Sequence, residues 1–119
     1  MLITIPKAWC DATALILRRG TSGREILIRR TAVQDWRAQT ANAYDFTLID
    51  AVSKALKVDG LKGKKHDMDE PGETYAFVFP YQADAGQMPI YTKINLTPDG
   101  KVVIIYSAHR PEKKDELTS

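Results

Sequence analysis

The chain has 119 residues, 44% of them hydrophobic and 27% charged, with a formal net charge of +2. That length suits one domain with a single core, and the composition excludes wholesale disorder. No apolar run approaches the roughly 20 residues of a membrane helix, and the lone Cys10 excludes an internal disulfide and a multi-cysteine zinc site.

The opening MLITIPKAWCDATALIL interrupts its apolar residues with Pro6, Lys7 and Asp11, so it lacks the apolar core of a signal peptide. Residues 13–19 (TALILRR) and 25–30 (EILIRR) are strand-like runs separated by Gly20-Thr21-Ser22-Gly23, which predicts an N-terminal β-hairpin. From Thr31 the period changes: Ala32, Val33, Trp36 and Thr40 share a helical stripe, with Thr31 as N-cap. Asp45 is expected to cap a second helix, whose Phe46, Ile49, Val52, Ala55 and Leu56 repeat at three- and four-residue spacing. Asp59-Gly60 is its stop signal.

Leu61–Gly72 (LKGKKHDMDEPG) is polar and turn-rich, basic then acidic, and reads as a mobile loop. In Thr74–Tyr81 the aromatics Tyr75, Phe77, Phe79 and Tyr81 alternate with Ala76, Val78 and Pro80, the pattern of a strand with Pro80 at its end or on an edge. Gln82–Pro89 reads as a polar connection, and the charged segment 111–119 as a frayed tail that follows a single domain spanning 1–110. Lys114-Asp115-Glu116-Leu117 resembles a retention signal, but Thr118 and Ser119 follow it. A cytoplasmic location is the expectation.

The segment Ile90–His109 (IYTKINLTPDGKVVIIYSAH) carries the strongest local signal. Two strand-like runs flank Pro98-Asp99-Gly100: Pro presets φ, Asp bonds back to the backbone and Gly supplies positive φ. A three-residue loop there places Lys93 opposite Ile105 and Tyr91 opposite Ser107, with His109 diagonal to Tyr91. Ile90, Ile94, Leu96, Val102, Ile104, Tyr106 and Ala108 then form a core face, and Tyr91, Lys93, Asn95, Ser107 and His109 the opposite one. A two-residue loop would separate Lys93 from His109. The predicted fold class is α+β: an N-terminal β-hairpin, two helices, then a three-stranded antiparallel sheet, in the order β-β-α-α-β-β-β.

Charge is unevenly spread. Up to Lys65 the chain holds 12 Lys or Arg against 6 Asp or Glu; beyond it, 5 against 9. Lys62, Lys64 and Lys65, with Arg29 and Arg30, are therefore the candidate RNA-binding cations, because each phosphate neutralised adds salt-dependent affinity. Gly60–Lys65 lacks the spacing of a phosphate-binding loop. His66-Asp67-Met68-Asp69, with Glu70 and Glu73, reads as a solvated loop rather than a metal site, and no metal or cofactor is expected.

The polar face of the last hairpin has what metal-free RNA cleavage needs: an acid–base group, and cations for the charge that builds up on phosphorus. His109 is the acid–base candidate, Lys93 the cation at the phosphate, and Arg110 a planar fork for the scissile or adjacent phosphate. Tyr91 and Ser107 can orient hydroxyls or stack on a base.

Tyr91, Lys93-Ile94, Asp99-Gly100, Val102–Ile105 and Ser107–Arg110, following helices, resemble the small bacterial toxins of the RelE, ParE and MqsR type, within the broader barnase, colicin and RelE-like fold group. The resemblance covers residues 31–110, and the N-terminal hairpin departs from it. It implies a metal-independent endoribonuclease toxin with Lys93, His109 and Arg110 as working residues. The implied substrate is RNA, such as ribosome-bound mRNA or tRNA, and the implied partner is a cognate antitoxin protein; ParE-like relatives target DNA gyrase instead. A second reading is a non-enzymatic binding module, an inhibitor encoded by phage or plasmid or an antitoxin-like partner, that holds protein or nucleic acid through its basic surface.

Overall fold

The computed structural model describes residues 2–19, 25–83 and 86–112. Among them, three helices pack on one face of a six-stranded mixed sheet, an α+β arrangement. In chain order these are β1 (Ile3–Thr4), α1 (Lys7–Arg18), β2 (Ile26–Ile28), α2 (Arg30–Gln39) and α3 (Asp45–Ala55), then β3 (Lys62–His66), β4 (Glu73–Ala83), β5 (Gly86–Leu96) and β6 (Val103–His109). The strands lie side by side as β1-β3-β4-β5-β6-β2, antiparallel throughout except that β2 runs parallel to β6.

This corrects the expected order and the expected three-stranded sheet. Residues 13–18 lie in helix α1, not in a strand. Trp9, Cys10, Thr13, Ala14, Ile16 and Leu17 are buried at helical spacing while Leu15 faces solvent, so the run TALIL is one side of a longer amphipathic helix. The expected partner strand survives as β2, but its mate is β6, through Ile26 opposite Val103 and Ile28 opposite Ile105. The Gly20–Gly23 turn of the expected hairpin lies outside the described residues.

Helices α2 and α3 follow the stripes read in the sequence, with adjusted ends. Arg29 and Tyr44 hold the N-cap positions, so Thr31 and Asp45 lie within the first turns and no side chain caps either helix. Phe46 leaves the expected stripe and is 62% exposed. Trp36 is fully buried, and its Nε1 donates to Thr47 Oγ1 at 2.9 Å, tying α2 to α3. A Trp in that position truncated to Ala costs about 3–5 kcal/mol.

Strand β3 also replaces part of the expected loop. Its sequence, KGKKH, has no apolar residue, and it is held as a strand by β1 on one side and β4 on the other. Gly63 permits this: a Cβ there would collide with the Ala76 carbonyl oxygen and crowd Ile5. The aromatics of β4 alternate inward as expected, with Phe77 and Phe79 buried in the main core. Residues 82–83 and 86–89, read as part of a connection, instead extend β4 and β5, and Pro80 faces Pro89 within that ladder. Because β3 pairs with β4 only over Thr74–Ala76, Pro80 lies on a locally open edge, where its missing N–H costs no ladder bond. Residues 113–119 of the expected tail lie outside the described residues.

Candidate functional site

Two successive shifts set the face of the β5–β6 hairpin. The loop is wider than Pro98–Gly100: Leu96 pairs with Val103, and Thr97–Val102 form the connection. Thr97 N donates to the Val102 carbonyl at 3.0 Å, and Gly100, at φ +70°, donates its N–H to the Thr97 carbonyl at 2.8 Å. The Asp99 carboxylate accepts from Thr97 Oγ1 and the Lys101 amide, and these bonds, the Thr97 one first, hold its pKa below the ordinary carboxylate value. Continued unbroken, that register would set Lys93 opposite Tyr106 and turn His109 toward the core.

A β-bulge at Tyr106 reverses the change. Ile94 pairs with Ile105, but Lys93 pairs with Ser107, Thr92 with Ala108 and Tyr91 with His109. Lys93, Ser107, Tyr91 and His109 therefore share one face, as expected, although the pairs differ from the expected ones. The core face of β6 is corrected to Val103, Ile105 and Ala108; Ile104 and Tyr106 point the other way.

This second face of the sheet carries no described helix. Its own small cluster, Ala76 and Tyr91 with Leu2 and Val78 against them, contains no helical residue. One row crosses it from strand to strand: Lys64 opposite Ala76, Ala76 opposite Lys93, Lys93 opposite Ser107. Fully buried Ala76 makes a low floor between two lysines about 9.5 Å apart at their backbones, two strand spacings.

In the next row the Tyr91 and His109 rings stack, centroids 5.4 Å apart and planes 26° from parallel. Tyr91 is only 4% exposed, so its ring is a seat for His109 and not a platform for a base. His109 Nδ1 lies 2.8 Å from the Arg110 carbonyl. A carbonyl oxygen only accepts, so Nδ1 carries the proton and Nε2 is the basic nitrogen of the neutral ring. Thr92 Oγ1 donates to the Ser107 carbonyl at 2.8 Å and fixes the backbone beyond the bulge.

The structure divides the remaining candidates. Lys62 lies two residues from Lys64 along β3 and donates to Thr4 Oγ1 at 2.6 Å. Lys65 pairs with core-facing Tyr75 and so alternates away from the lysine row. Arg30 opens α2. Arg110 lies past the end of β6, where its amide donates to Gln39 Oε1, and with His109, Asp35, Ala38 and Gln39 it lines a groove beside α2. It is not brought into the lysine row.

Sequence reasoning missed Glu70 and Tyr106. Loop 67–72 folds across the open face: buried Asn95 donates Nδ2 to the Pro71 carbonyl at 3.1 Å, and Glu70 reaches Arg29 and the Tyr106 hydroxyl, the latter at 2.7 Å. Burial, and then the bond to Glu70, push the Tyr106 phenol up to about 12. No periodicity marks Glu70, and alternation alone turns Tyr106 inward, because the bulge has no sequence signature. Among the described residues, no three His, Cys, Asp or Glu side chains gather as a metal site would require, and no helix is long and apolar enough to cross a membrane. Comparison with protein-family models, with curated proteins and with solved structures gave no match to this chain.

Proposed function

We propose that the protein is a metal-independent endoribonuclease of the bacterial toxin type, with RNA laid across the open sheet face. The observation that carries this reading is the alignment of Lys93, Ser107 and His109 on one face by the Tyr106 bulge. His109 Nε2 takes the proton from a ribose 2′-hydroxyl, and the resulting oxyanion attacks the adjacent phosphorus. Lys93, with Lys64 across the Ala76 floor, stabilises the dianionic phosphorane. The P–O5′ bond breaks, the leaving oxygen takes a proton from water, and a 2′,3′-cyclic phosphate remains.

Roles follow from placement. Tyr91 positions His109, and Ser107 orients substrate hydroxyls beside Lys93. Lys62 and Arg29 extend the backbone contacts. Sequence resemblance of residues 31–110 to RelE-like toxins supports the same reading and brings with it an antitoxin partner. An oligoribonucleotide carrying one 2′-deoxy residue tests the chemistry: cleavage should stop at that linkage alone. Continued cleavage there would refute attack by the 2′-hydroxyl.

A second reading, the non-enzymatic binding module, is favoured by a different feature. Tyr44 and Phe46 stack at 5.8 Å between centroids while 72% and 62% exposed, an apolar pair suited to a protein partner. Under that reading the lysine row binds RNA or protein without turnover, so the same oligonucleotide would be retained uncut.

A further inference from the structure

Arg29 and Tyr106 aim two donors at one carboxylate. Arg29 Nη2 pairs with Glu70 Oε1, while the Tyr106 hydroxyl donates to Oε2 at 2.7 Å. The guanidinium carbon also lies 5.5 Å from the Tyr106 ring centroid, so each donor braces the other. A phosphate presents neighbouring oxygens to such donors much as a carboxylate does, and a guanidinium fork suits both. The place adjoins the lysine row, because Tyr106 directly precedes Ser107, the residue opposite Lys93.

The loop that delivers Glu70 is fixed at its root by other means. Asn95, fully buried, bonds both the Pro71 carbonyl and the Thr74 hydroxyl. Gly72, at φ +116°, lies so close to the Leu96 carbonyl that a Cβ would collide with it. The tip is held differently, by the Tyr106 hydroxyl and by an ion pair whose side chains remain 51% and 35% exposed and which solvent screens. A firmly rooted loop with a releasable charged tip is a latch.

We infer that Arg29 and Tyr106 form a phosphate seat, which loop 67–72 occupies with its own Glu70 carboxylate until an RNA phosphodiester displaces it. The inference rests on the reading of the open face as an RNA platform, and deepens it by naming a second phosphate position and the group that guards it. In free protein the strap covers part of the face; with RNA bound, Arg29 and Tyr106 exchange a carboxylate for a phosphate, and Glu70 turns to solvent.

The test measures binding of an uncleavable 2′-O-methyl oligoribonucleotide by fluorescence anisotropy to the wild type and to Glu70→Gln, Asp69→Asn, Arg29→Gln and Arg29→Gln/Glu70→Gln. Asp69→Asn removes one charge from the same loop without touching the seat. Glu70→Gln should bind about tenfold tighter than wild type and Asp69→Asn less than twofold tighter, with the Glu70 gain lost when Arg29 is Gln. An equal gain for the two loop variants, or a Glu70 gain that persists without Arg29, would overturn the seat. Inorganic phosphate, followed on the Tyr106 ring resonances of Glu70→Gln, separates the two levels. If phosphate moves them and no variant binds oligonucleotide, the RNA reading fails and the seat stands; if phosphate leaves them unmoved, the seat itself is wrong.

Discussion

Tyr91 and His109 stand directly opposite one another on β5 and β6, with their rings stacked at 5.4 Å. The pairing turns a buried aromatic into the support for a half-exposed imidazole. Tyr91→Leu keeps much of the apolar volume and removes the stack, which is worth about 0.5–1.5 kcal/mol beyond area burial. We expect RNA cleavage by this variant to fall about tenfold while the thermal midpoint drops by only a few degrees. Loss of folding without a separate loss of rate per folded molecule would make Tyr91 a core residue only.

Deletion of Tyr106 tests the bulge. Without the extra residue, the register set at Leu96–Val103 would run unbroken and still bring Ser107 opposite Lys93, Ala108 opposite Thr92 and His109 opposite Tyr91, because the bulge takes up one residue. Cleavage should therefore survive both the deletion and Tyr106→Phe, and its loss in a deletion variant that still melts cooperatively in urea would show that the local twist of the bulge, and not the shared face alone, sets the site.

Glycines 72 and 60 should respond unequally to alanine. Both have positive φ, but only at Gly72 would the new methyl meet backbone, the Leu96 carbonyl. Gly60→Ala meets nothing within 4 Å and should cost about 1 kcal/mol from the left-handed conformation alone. Gly72→Ala should cost clearly more and should increase amide exchange across loop 67–72. Equal costs in denaturant melts would show that the loop root yields easily.

The Tyr106 phenol supplies a pH dependence. Its value is raised from 10.0 to about 12, by burial first and by Glu70 second, so the folded state holds this proton more tightly than the unfolded chain. The stability it contributes is fully present below pH 10 and is lost as pH rises through about 12. In tyrosine-labelled protein followed by NMR, Tyr106 should titrate late, and Glu70→Gln should move its midpoint downward. An unmoved midpoint would mean that Glu70 does not bond the phenol in solution.

Much of this architecture is legible in sequence where one residue's neighbours suffice to place it. The alternation of Tyr75, Phe77, Phe79 and Tyr81 gives the inward face of β4, and the Trp36 and Ile49–Val52 stripes give α2 and α3. Local pattern fails where partners are distant. TALIL looks like a strand until Trp9 and Cys10 are counted with it. KGKKH becomes a strand only because β1 and β4 flank it, and β2 finds its parallel mate about 75 residues further along.

The site shows the same division. A three-residue loop puts Lys93, Ser107 and His109 on one face through a register that does not occur, and they share that face because a wider loop and a bulge cancel. Arg110 shares the groove beside α2 with His109, as adjacency in the sequence suggests, but its amide bonds Gln39 and it stands outside the lysine row. Glu70 has no sequence signal at all, because its partners Arg29 and Tyr106 meet only when loop 67–72 crosses the sheet.

The central claim is metal-independent RNA cleavage by the Lys93–His109 face. Single-turnover reactions of an oligoribonucleotide in a metal chelator, comparing wild type with His109→Gln and Lys93→Gln, test it most directly. Wild type should yield products ending in 2′,3′-cyclic phosphate, and each substitution should slow cleavage at least about 100-fold with an unchanged melting midpoint. Intact RNA with the wild type, or cleavage undiminished in both variants, would contradict it.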